Sequence, residues 1–262
     1  MTPLLEARAL SAAYGRTPAL DGLDAEVRAG EVLAILGENG SGKSTFLKAV
    51  ARIVPVRSGE LRLDGKPLAG LPRKETARRI AYLPQSVDLV FPIRCFDLVL
   101  QGRAPRARGF SADSPEDHRR ALEAMRACDV DGLSDRDASA ISGGERRRVF
   151  LARALAQEAE IWLLDEPTAG LDPRHRLAFL DLLGRVQRER AATVLLVTHE
   201  LELAADHADR VLLLGKGRCL AAGTPAEALT ADTIRLAFGV EARIDTDPDG
   251  HPAIRWIGWG RR

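Results

Sequence analysis

The most constraining feature of this sequence is a glycine-rich segment, residues 37–45, that directly follows the apolar run Val32–Leu36 and opens a helical stretch, Ser44–Ile53. Glycines allow consecutive backbone N–H groups to curl around a phosphate, and the start of a helix adds partial positive charge. A strand, a loop of this composition and a helix in that order predict a P-loop for nucleotide phosphates. The predicted loop residues are Gly37, Glu38, Asn39, Gly40, Ser41, Gly42, Lys43, Ser44 and Thr45.

Two side chains of this loop have predicted chemical roles with ATP. The ammonium group of Lys43 is expected to bridge the β- and γ-phosphates, and the Ser44 hydroxyl is expected to be a Mg²⁺ ligand. ATP and Mg²⁺ are therefore the predicted ligands.

A second apolar run ends in two carboxylates, in the segment Ile161-Trp162-Leu163-Leu164-Asp165-Glu166. A buried strand that ends in an aspartate is how P-loop ATPases bring a carboxylate to Mg²⁺, and Asp165 has that position. Glu166 would then face the γ-phosphate and is the predicted general base that polarises the attacking water.

The pattern of the whole chain predicts an α/β fold. Short apolar runs, which also include Val194–Val197 and Val211–Leu214, are typical of parallel strands buried on both faces. Predicted helices lie between them, at Arg147–Ala156 and Arg176–Arg188, which favours a layered α/β core. Shorter predicted strands at Leu4–Ala9, Leu23–Val27 and Glu60–Leu63, with a tight turn at Asp64-Gly65, indicate a small antiparallel sheet beside it.

The predicted fold class is thus a P-loop NTPase of the RecA-like type with a small antiparallel β subdomain and a helical insertion. The ATPase domain is predicted to span residues 1–240, with the helical subdomain at about 87–140. Residues 241–262 form a predicted strand-like C-terminal tail.

Composition excludes several classes of protein. Lys plus Arg number 38 and Asp plus Glu 37, so charge gives no reason to expect nucleic acid as a partner. The cysteines Cys95, Cys128 and Cys219 are scattered, which favours a reducing cytosol over a disulfide framework. No secretory leader is expected at the N-terminus, and no stretch approaches the roughly 18 apolar residues of a membrane span.

A third motif, Ile141-Ser142-Gly143-Gly144-Glu145, predicts a second phosphate-binding helix end. Ser142 and Glu145 have the spacing of a capping box, and Gly143 and Gly144 leave the backbone N–H groups of the helix start accessible. One nucleotide cannot use both helix ends if they lie on opposite sides of a domain. We therefore expect two copies, head to tail, with each ATP between Lys43 of one copy and Ser142 of the other.

With these motifs in this order, the sequence from about Leu4 to Gly223 resembles the ATP-binding subunit of ABC transporters. The resemblance implies that Tyr14 stacks on adenine, that Gln85 senses Mg²⁺ and water, and that Asp172 acts across the dimer. It also implies that His199 is the switch histidine at the γ-phosphate. Ile141, Gly170 and Glu200 stand where the family more often has Leu, Ala and Asp, and none of these changes removes a reacting group.

The resemblance extends to the importers of iron-siderophore complexes, haem and cobalamin, through residues 96–103 and 237–240. It implies a permease dimer as partner, an extracytoplasmic substrate-binding protein that acts on the permease, and a peripheral location at the cytoplasmic face of the inner membrane. The sequence of residues 168–172 is also similar to that of vitamin and transition-metal uptake systems. An ATPase of such a system is therefore the alternative function, together with a soluble ABC ATPase without a transport role.

Two further patterns are interpreted as structural. Asp245, Asp247 and Asp249 mimic the start of a calcium loop, but a turn between two tail strands is favoured because Trp256 occupies the position of the required glutamate. The basic residues Arg103, Arg106, Arg108, Arg119 and Arg120 are interpreted as a solvated helical face, with a rim that meets the permease as the alternative.

Overall fold

The structure of the protein is a computed structural model that describes residues 3–85, 89–107, 114–248 and 250–259. The chain divides into two compact units. The first is drawn from residues up to Leu71 and from Thr193 onward, and the second runs from Pro72 to Ala192.

The secondary structure alternates between strands and helices along most of the chain. The strands are β1 (Leu5–Tyr14), β2 (Thr17–Val27), β3 (Val32–Gly37), β4 (Val56–Leu63), β5 (Lys66–Pro67), β6 (Ile80–Leu83), β7 (Ile161–Asp165), β8 (Thr193–Val197), β9 (Arg210–Gly215), β10 (Arg218–Gly223), β11 (Val240–Thr246) and β12 (Pro252–Trp259). The α-helices are α1 (Lys43–Val50), α2 (Arg73–Arg79), α3 (Cys95–Leu100), α4 (Pro115–Ala127), α5 (Gly143–Ala156), α6 (Pro173–Arg190), α7 (Leu201–His207), α8 (Pro225–Ala228) and α9 (Ala231–Phe238), with 3₁₀ turns at Leu68–Gly70, Gln101–Arg106 and Asp131–Leu133.

The core of the first unit is a mainly parallel sheet with the strand order β10-β9-β3-β8. β3 pairs in parallel with both β8 and β9, and β10 runs antiparallel to β9. The side chains of Leu33–Leu36 are almost completely buried, as two-sided burial of a parallel strand requires. The apolar runs therefore predicted β3, β8 and β9 correctly, whereas β10 was not predicted.

A second sheet of the first unit is antiparallel, in the order β2-β1-β4-β5. Its existence confirms the predicted small antiparallel sheet, although β1, β2 and β4 are longer than predicted because they continue past irregular pairings. Asp64 and Gly65 both have positive φ, 48° and 73°, which is the conformation of the predicted tight turn.

The second unit combines the parallel pair β6 and β7 with the helices α2 to α6. Within residues 89–107 and 114–140 the pairing is limited to one isolated bridge, Arg94 to Asp137, and the rest is helical or irregular.

The interpretation of the arginine cluster as one solvated face is wrong for Arg103. This residue is only 5% exposed, and its guanidinium donates to Asp117, to Glu158 and to the carbonyl of Ala156. Arg119 and Arg120 do lie on the surface, where they pair with Glu116 and Glu123, and Arg108 lies outside the described residues.

The C-terminal residues are packed within the first unit. Ala242 of β11, Ile234 of α9 and Leu229 share a buried cluster with Ala204 and Ala205 of α7. β11 and β12 form an antiparallel hairpin, and α8 begins at Thr224 with a capping box. In the described part of the chain, no helix combines the length and the apolar character needed to cross a bilayer.

Candidate nucleotide-binding site

The loop after β3 adopts a backbone that only glycine accommodates at two points. Gly37 has φ +144°, and a Cβ there would collide with the carbonyl oxygen of Leu214. Gly42 has φ +103°, and a Cβ there would lie 2.6 Å from the carbonyl oxygen of Ala19. The glycines thus permit a close approach of neighbouring backbone and leave the loop open for a ligand.

The side chains of this loop present an anion-binding arrangement. Lys43 is 5% exposed, and its Nζ donates to the carbonyl oxygens of Gly37 at 2.7 Å and Glu38 at 2.9 Å. The Ser41 Oγ atom is buried and has no hydrogen-bonding partner among the described residues. The first turn of α1 has neither an acidic residue nor a side-chain cap. A buried cation, an unsatisfied hydroxyl and an uncapped helix start fit the phosphates of ATP.

The other members of the predicted loop surround this arrangement. Glu38, Asn39 and Gly40 are exposed, Ser44 is half-buried and Thr45 is buried. Two further predicted residues belong to the same unit: Tyr14 ends β1 with 49% exposure, and the exposed His199 follows β8.

The second unit contains the two carboxylates at the end of β7. Asp165 is 3% exposed and accepts a hydrogen bond from the Tyr82 hydroxyl at 3.1 Å. Glu166 has φ 47°, and its carboxylate accepts a hydrogen bond from Gln85 Nε2 at 2.7 Å. The structure therefore brings together Gln85 and Glu166, which lie 81 residues apart in sequence.

Tyr82 is a residue that the sequence reasoning missed. The only sequence signal for it is its position in β6 before Gln85, with a polar tip on a strand that is otherwise apolar. Its hydroxyl fixes one carboxylate oxygen of Asp165 and satisfies part of the hydrogen-bonding capacity of this buried group.

The predicted capping box at Ser142 is present. The Ser142 hydroxyl and backbone N–H both donate to the Glu145 carboxylate, at 2.7 and 2.8 Å, and the Glu145 backbone N–H donates back to Ser142 Oγ at 3.3 Å. The Ser142 hydroxyl and N–H lower the pKa of Glu145. α5 thus starts with Gly143 and Gly144, directly after the exposed Ser142.

Asp172 caps α6 in the structure. It accepts hydrogen bonds from the His175 backbone N–H at 3.0 Å and from His175 Nδ1 at 2.7 Å, and these bonds lower the pKa of Asp172. The His175 ring also faces α5, since a Cβ on Gly144 would lie 3.1 Å from it. The start of α6 is therefore packed beside the start of α5.

A cavity of about 250 Å³ in the second unit joins several of these elements. Arg147, whose pKa is lowered by burial, donates to the carbonyl of Ala169 at 3.4 Å at this cavity. The lining residues are Leu83, Pro84, Gln85, Gly143, Arg146, Arg147, Phe150, Ala169, Gly170 and Leu171. Gln85 and the glycine-rich start of α5 therefore share one open space.

Comparison with known proteins agrees with this chemistry. Residues 20–169, more than half of the chain, match the family model described as ABC transporter. The hemin import ATP-binding protein HmuV of Streptomyces coelicolor is 50% identical over 248 residues, covering 94% of this chain and 86% of the relative. The ferric enterobactin transport ATP-binding protein FepC of Escherichia coli is 36% identical over 255 residues, covering 97% of this chain and 94% of the relative.

A solved structure supports the same assignment. An inward-facing conformation of a metal-chelate type ABC transporter superposes with a TM-score of 0.83 at 26% identity, with 98% of each chain covered. The P-loop core, the antiparallel sheet and the helical segment are therefore those of an ABC ATPase cassette. The chain belongs to the ABC transporter ATP-binding family and is an ATP-binding ATPase coupled to transport.

Proposed function

We propose that this chain is the ATPase subunit of an importer for an iron chelate of the haem or siderophore type. The main support for this substrate class is the 50% identity to a hemin import subunit over 94% of this chain. The ferric enterobactin relative and the metal-chelate transporter structure support the same class of cargo.

ATP is held, in this proposal, between two copies of the chain. Lys43 and the backbone of residues 37–45 bind the phosphates, because this loop has a buried ammonium group and an unsatisfied Ser41 hydroxyl. Tyr14 stacks on the adenine. Ser142, Gly143, Gly144 and Glu145 of the second copy complete the site at the γ-phosphate, since Ser142 and Gly143 at this helix start are exposed.

The predicted site residues also include the groups that ATP hydrolysis requires. Ser44 and Asp165 are oxygen donors of the kind Mg²⁺ prefers, with Gln85 as a further ligand, and the ion would neutralise phosphate charge. Glu166 is the general base, and Gln85 orients its carboxylate by the 2.7 Å hydrogen bond. His199 contacts the γ-phosphate, and Asp172 acts across the dimer from the start of α6.

The expected partners are those of an ABC importer. A permease dimer receives the motion of the paired ATPase subunits, an extracytoplasmic binding protein delivers the cargo to the permease, and the ATPase works at the cytoplasmic face of the inner membrane. Nucleic acid is not expected as a partner, because the lysine plus arginine and aspartate plus glutamate totals are 38 and 37.

The variant Glu166→Gln tests the site. Loss of a general base should slow ATP hydrolysis by about 10²-fold or more while ATP binding persists, so that the variant accumulates as an ATP-bound dimer. Turnover is measured by phosphate release, and dimer formation by light scattering with and without ATP. Glu189→Gln, an exposed glutamate of α6, is the matched control and should behave as the parent protein.

Two outcomes would contradict the proposed site. Unchanged turnover of Glu166→Gln would remove Glu166 from the role of base. A variant that is slow, retains ATP and stays monomeric at all concentrations would refute the shared site.

The cargo is tested separately. The gene is expressed with a haem-type, a siderophore-type or a cobalamin-type permease, each with its own binding protein, in a host that lacks importer ATPases, and uptake of the labelled cargo of each permease is compared. Uptake of haem or ferric siderophore that depends on Lys43 supports the proposal, and uptake confined to cobalamin overturns the iron-chelate assignment.

A further inference from the structure

We propose that Asp206, Asp247 and His251 form a binding site for one divalent first-row transition metal ion, distinct from the nucleotide-binding residues. One oxygen of each carboxylate and one ring nitrogen of the histidine lie within 4.8 Å of one another. His251 Nδ1 is 4.0 Å from Asp206 Oδ1 and 4.0 Å from Asp247 Oδ2.

The three ligand atoms come from two elements of the same unit. Asp206 lies near the end of α7, whereas Asp247 and His251 flank the turn between β11 and β12. The turn fixes the latter two relative to each other, because the His251 N–H donates to Asp247 Oδ1 at 2.7 Å and the Asp247 N–H donates to the His251 carbonyl at 2.9 Å. Packing of α7 residues and Ala242 in one buried cluster keeps the hairpin against the helix.

The spacing is close to that of a coordination sphere. Two ligands of a tetrahedral ion with bonds of about 2.0–2.1 Å lie about 3.3 Å from each other. The two 4.0 Å separations from His251 therefore need to close by less than 1 Å, and the two carboxylate oxygens, which lie within 4.8 Å of each other, by at most about 1.5 Å. The Asp206 side chain is 53% exposed, so its χ angles are free to make that adjustment.

The donor types select the class of ion. One imidazole nitrogen with two carboxylates suits Mn²⁺, Fe²⁺, Co²⁺ or Zn²⁺, whereas Mg²⁺ and Ca²⁺ prefer oxygen ligands alone. The two carboxylates neutralise a divalent charge, and partial exposure leaves room for water in the remaining positions. A calcium loop would use the successive aspartates of this turn as ligands. In the structure, one of them, Asp247, lies beside His251 and beside Asp206 of α7.

A bound ion would connect the C-terminal hairpin to α7, the helix that begins two residues after His199.

The test uses the full-length, tag-free protein without nucleotide, so that neither an affinity tag nor the ATP site contributes ligands. Co²⁺ is titrated at about pH 7.5, where imidazole is mostly neutral, and binding is followed by visible absorption bands of histidine-bound Co²⁺ and by calorimetry. One ion per chain is expected, with displacement by Zn²⁺ and little competition from Mg²⁺.

Two variants and a control locate the site. His251→Ala and Asp206→Asn should each weaken Co²⁺ affinity by about tenfold or more, since each removes or neutralises a ligand. His207→Ala, an exposed histidine of the same helix outside the group, should not change it. Asp206→Asn leaves the hairpin sequence intact, so loss of binding there cannot come from a misfolded turn.

Parent-like Co²⁺ binding in both His251→Ala and Asp206→Asn would overturn the proposal. So would equal competition by Mg²⁺, because it would reduce the three residues to a diffuse negative patch. A parent protein that binds no Co²⁺ would show that His251 is an ordinary ion-pair partner of the two aspartates.

Discussion

Replacement of Arg103 by alanine should destabilise the protein more than loss of any surface arginine. Its guanidinium donates to Asp117 Oδ1 at 2.9 Å, to the Ala156 carbonyl at 2.6 Å and to Glu158 Oε2 at 2.7 Å. The Arg103 side chain is 6% exposed and that of Asp117 10%. The variant would therefore leave the buried Asp117 carboxylate without its cationic partner, with only the Ser114 donors remaining, and would remove the guanidinium donor to the Ala156 carbonyl.

The expected loss can be bounded from this geometry. Removal of one partner from a buried ion pair costs about 3–5 kcal/mol, because the other charge stays desolvated and uncompensated. With a urea m-value of about 3 kcal/mol/M, the unfolding midpoint should fall by about 1 to 1.7 M. The Asp117 pKa is held down by hydrogen bonds from Ser114 and by Arg103, so in the variant this pKa should rise.

The assay is equilibrium unfolding in urea, followed by circular dichroism, of the parent protein, Arg103→Ala and Arg119→Ala. Arg119 is the matched control because it also pairs with glutamates, Glu116 and Glu123, but lies exposed on α4, where solvent screens the pair. Equal midpoints for the two variants would refute the inference that Arg103 is an internal structural cation.

Two other predictions follow from the site. Gly37→Ala should abolish nucleotide binding, because an alanine at φ +144° would collide with the Leu214 carbonyl and force the loop to move. Binding of a fluorescent ATP analogue to this variant measures the loss. Gly70→Ala is the control, because an added Cβ at Gly70 would have open space around it. Because the Glu145 pKa lies below its usual 4.5, the stability gained from the capping box is present at neutral pH and is lost as the pH falls below about 4.5 through the lowered pKa. Urea midpoints measured from pH 7 to pH 3 should show this loss in the parent protein and a smaller one in Ser142→Ala, and identical slopes would contradict it.

Much of the fold could be predicted because the signals are local. Burial on both faces gives a short apolar run such as Val194–Val197, and the structure forms β8 there. A serine followed three residues later by a glutamate needs only one helical turn to make its capping box, so the geometry at Ser142 could be foreseen. The phosphate loop is likewise continuous in sequence, and its glycines at 37 and 42 occupy backbone conformations that exclude other residues.

The errors arose where partners are distant in sequence. Arg103 contacts Asp117 14 residues away and Glu158 55 residues away, and no periodicity of its own segment distinguishes it from the other arginines of the cluster. Tyr82 is linked to Asp165 across 83 residues for the same reason. The turn between β11 and β12 was predicted correctly, but the proximity of its Asp247 and His251 to Asp206 of α7 could not be, because Asp206 is distant in sequence.

Glu166 has an unusual backbone conformation of its own and a hydrogen bond to Gln85, which is distant in sequence. Both determine which substitution at this position tests its role as a base. Its φ of 47° is a left-handed conformation that costs a residue with a Cβ about 1–2 kcal/mol, which surrounding contacts must offset. The hydrogen bond from Gln85 supplies one such contact, and the Ala169 N–H donates to the Glu166 carbonyl at 3.1 Å. A glutamine at 166 keeps both, because its side-chain oxygen still accepts from Gln85, so Glu166→Gln removes the basic carboxylate without releasing the backbone. An alanine there would lose the Gln85 contact as well, and a slow alanine variant could reflect a displaced loop rather than a missing base.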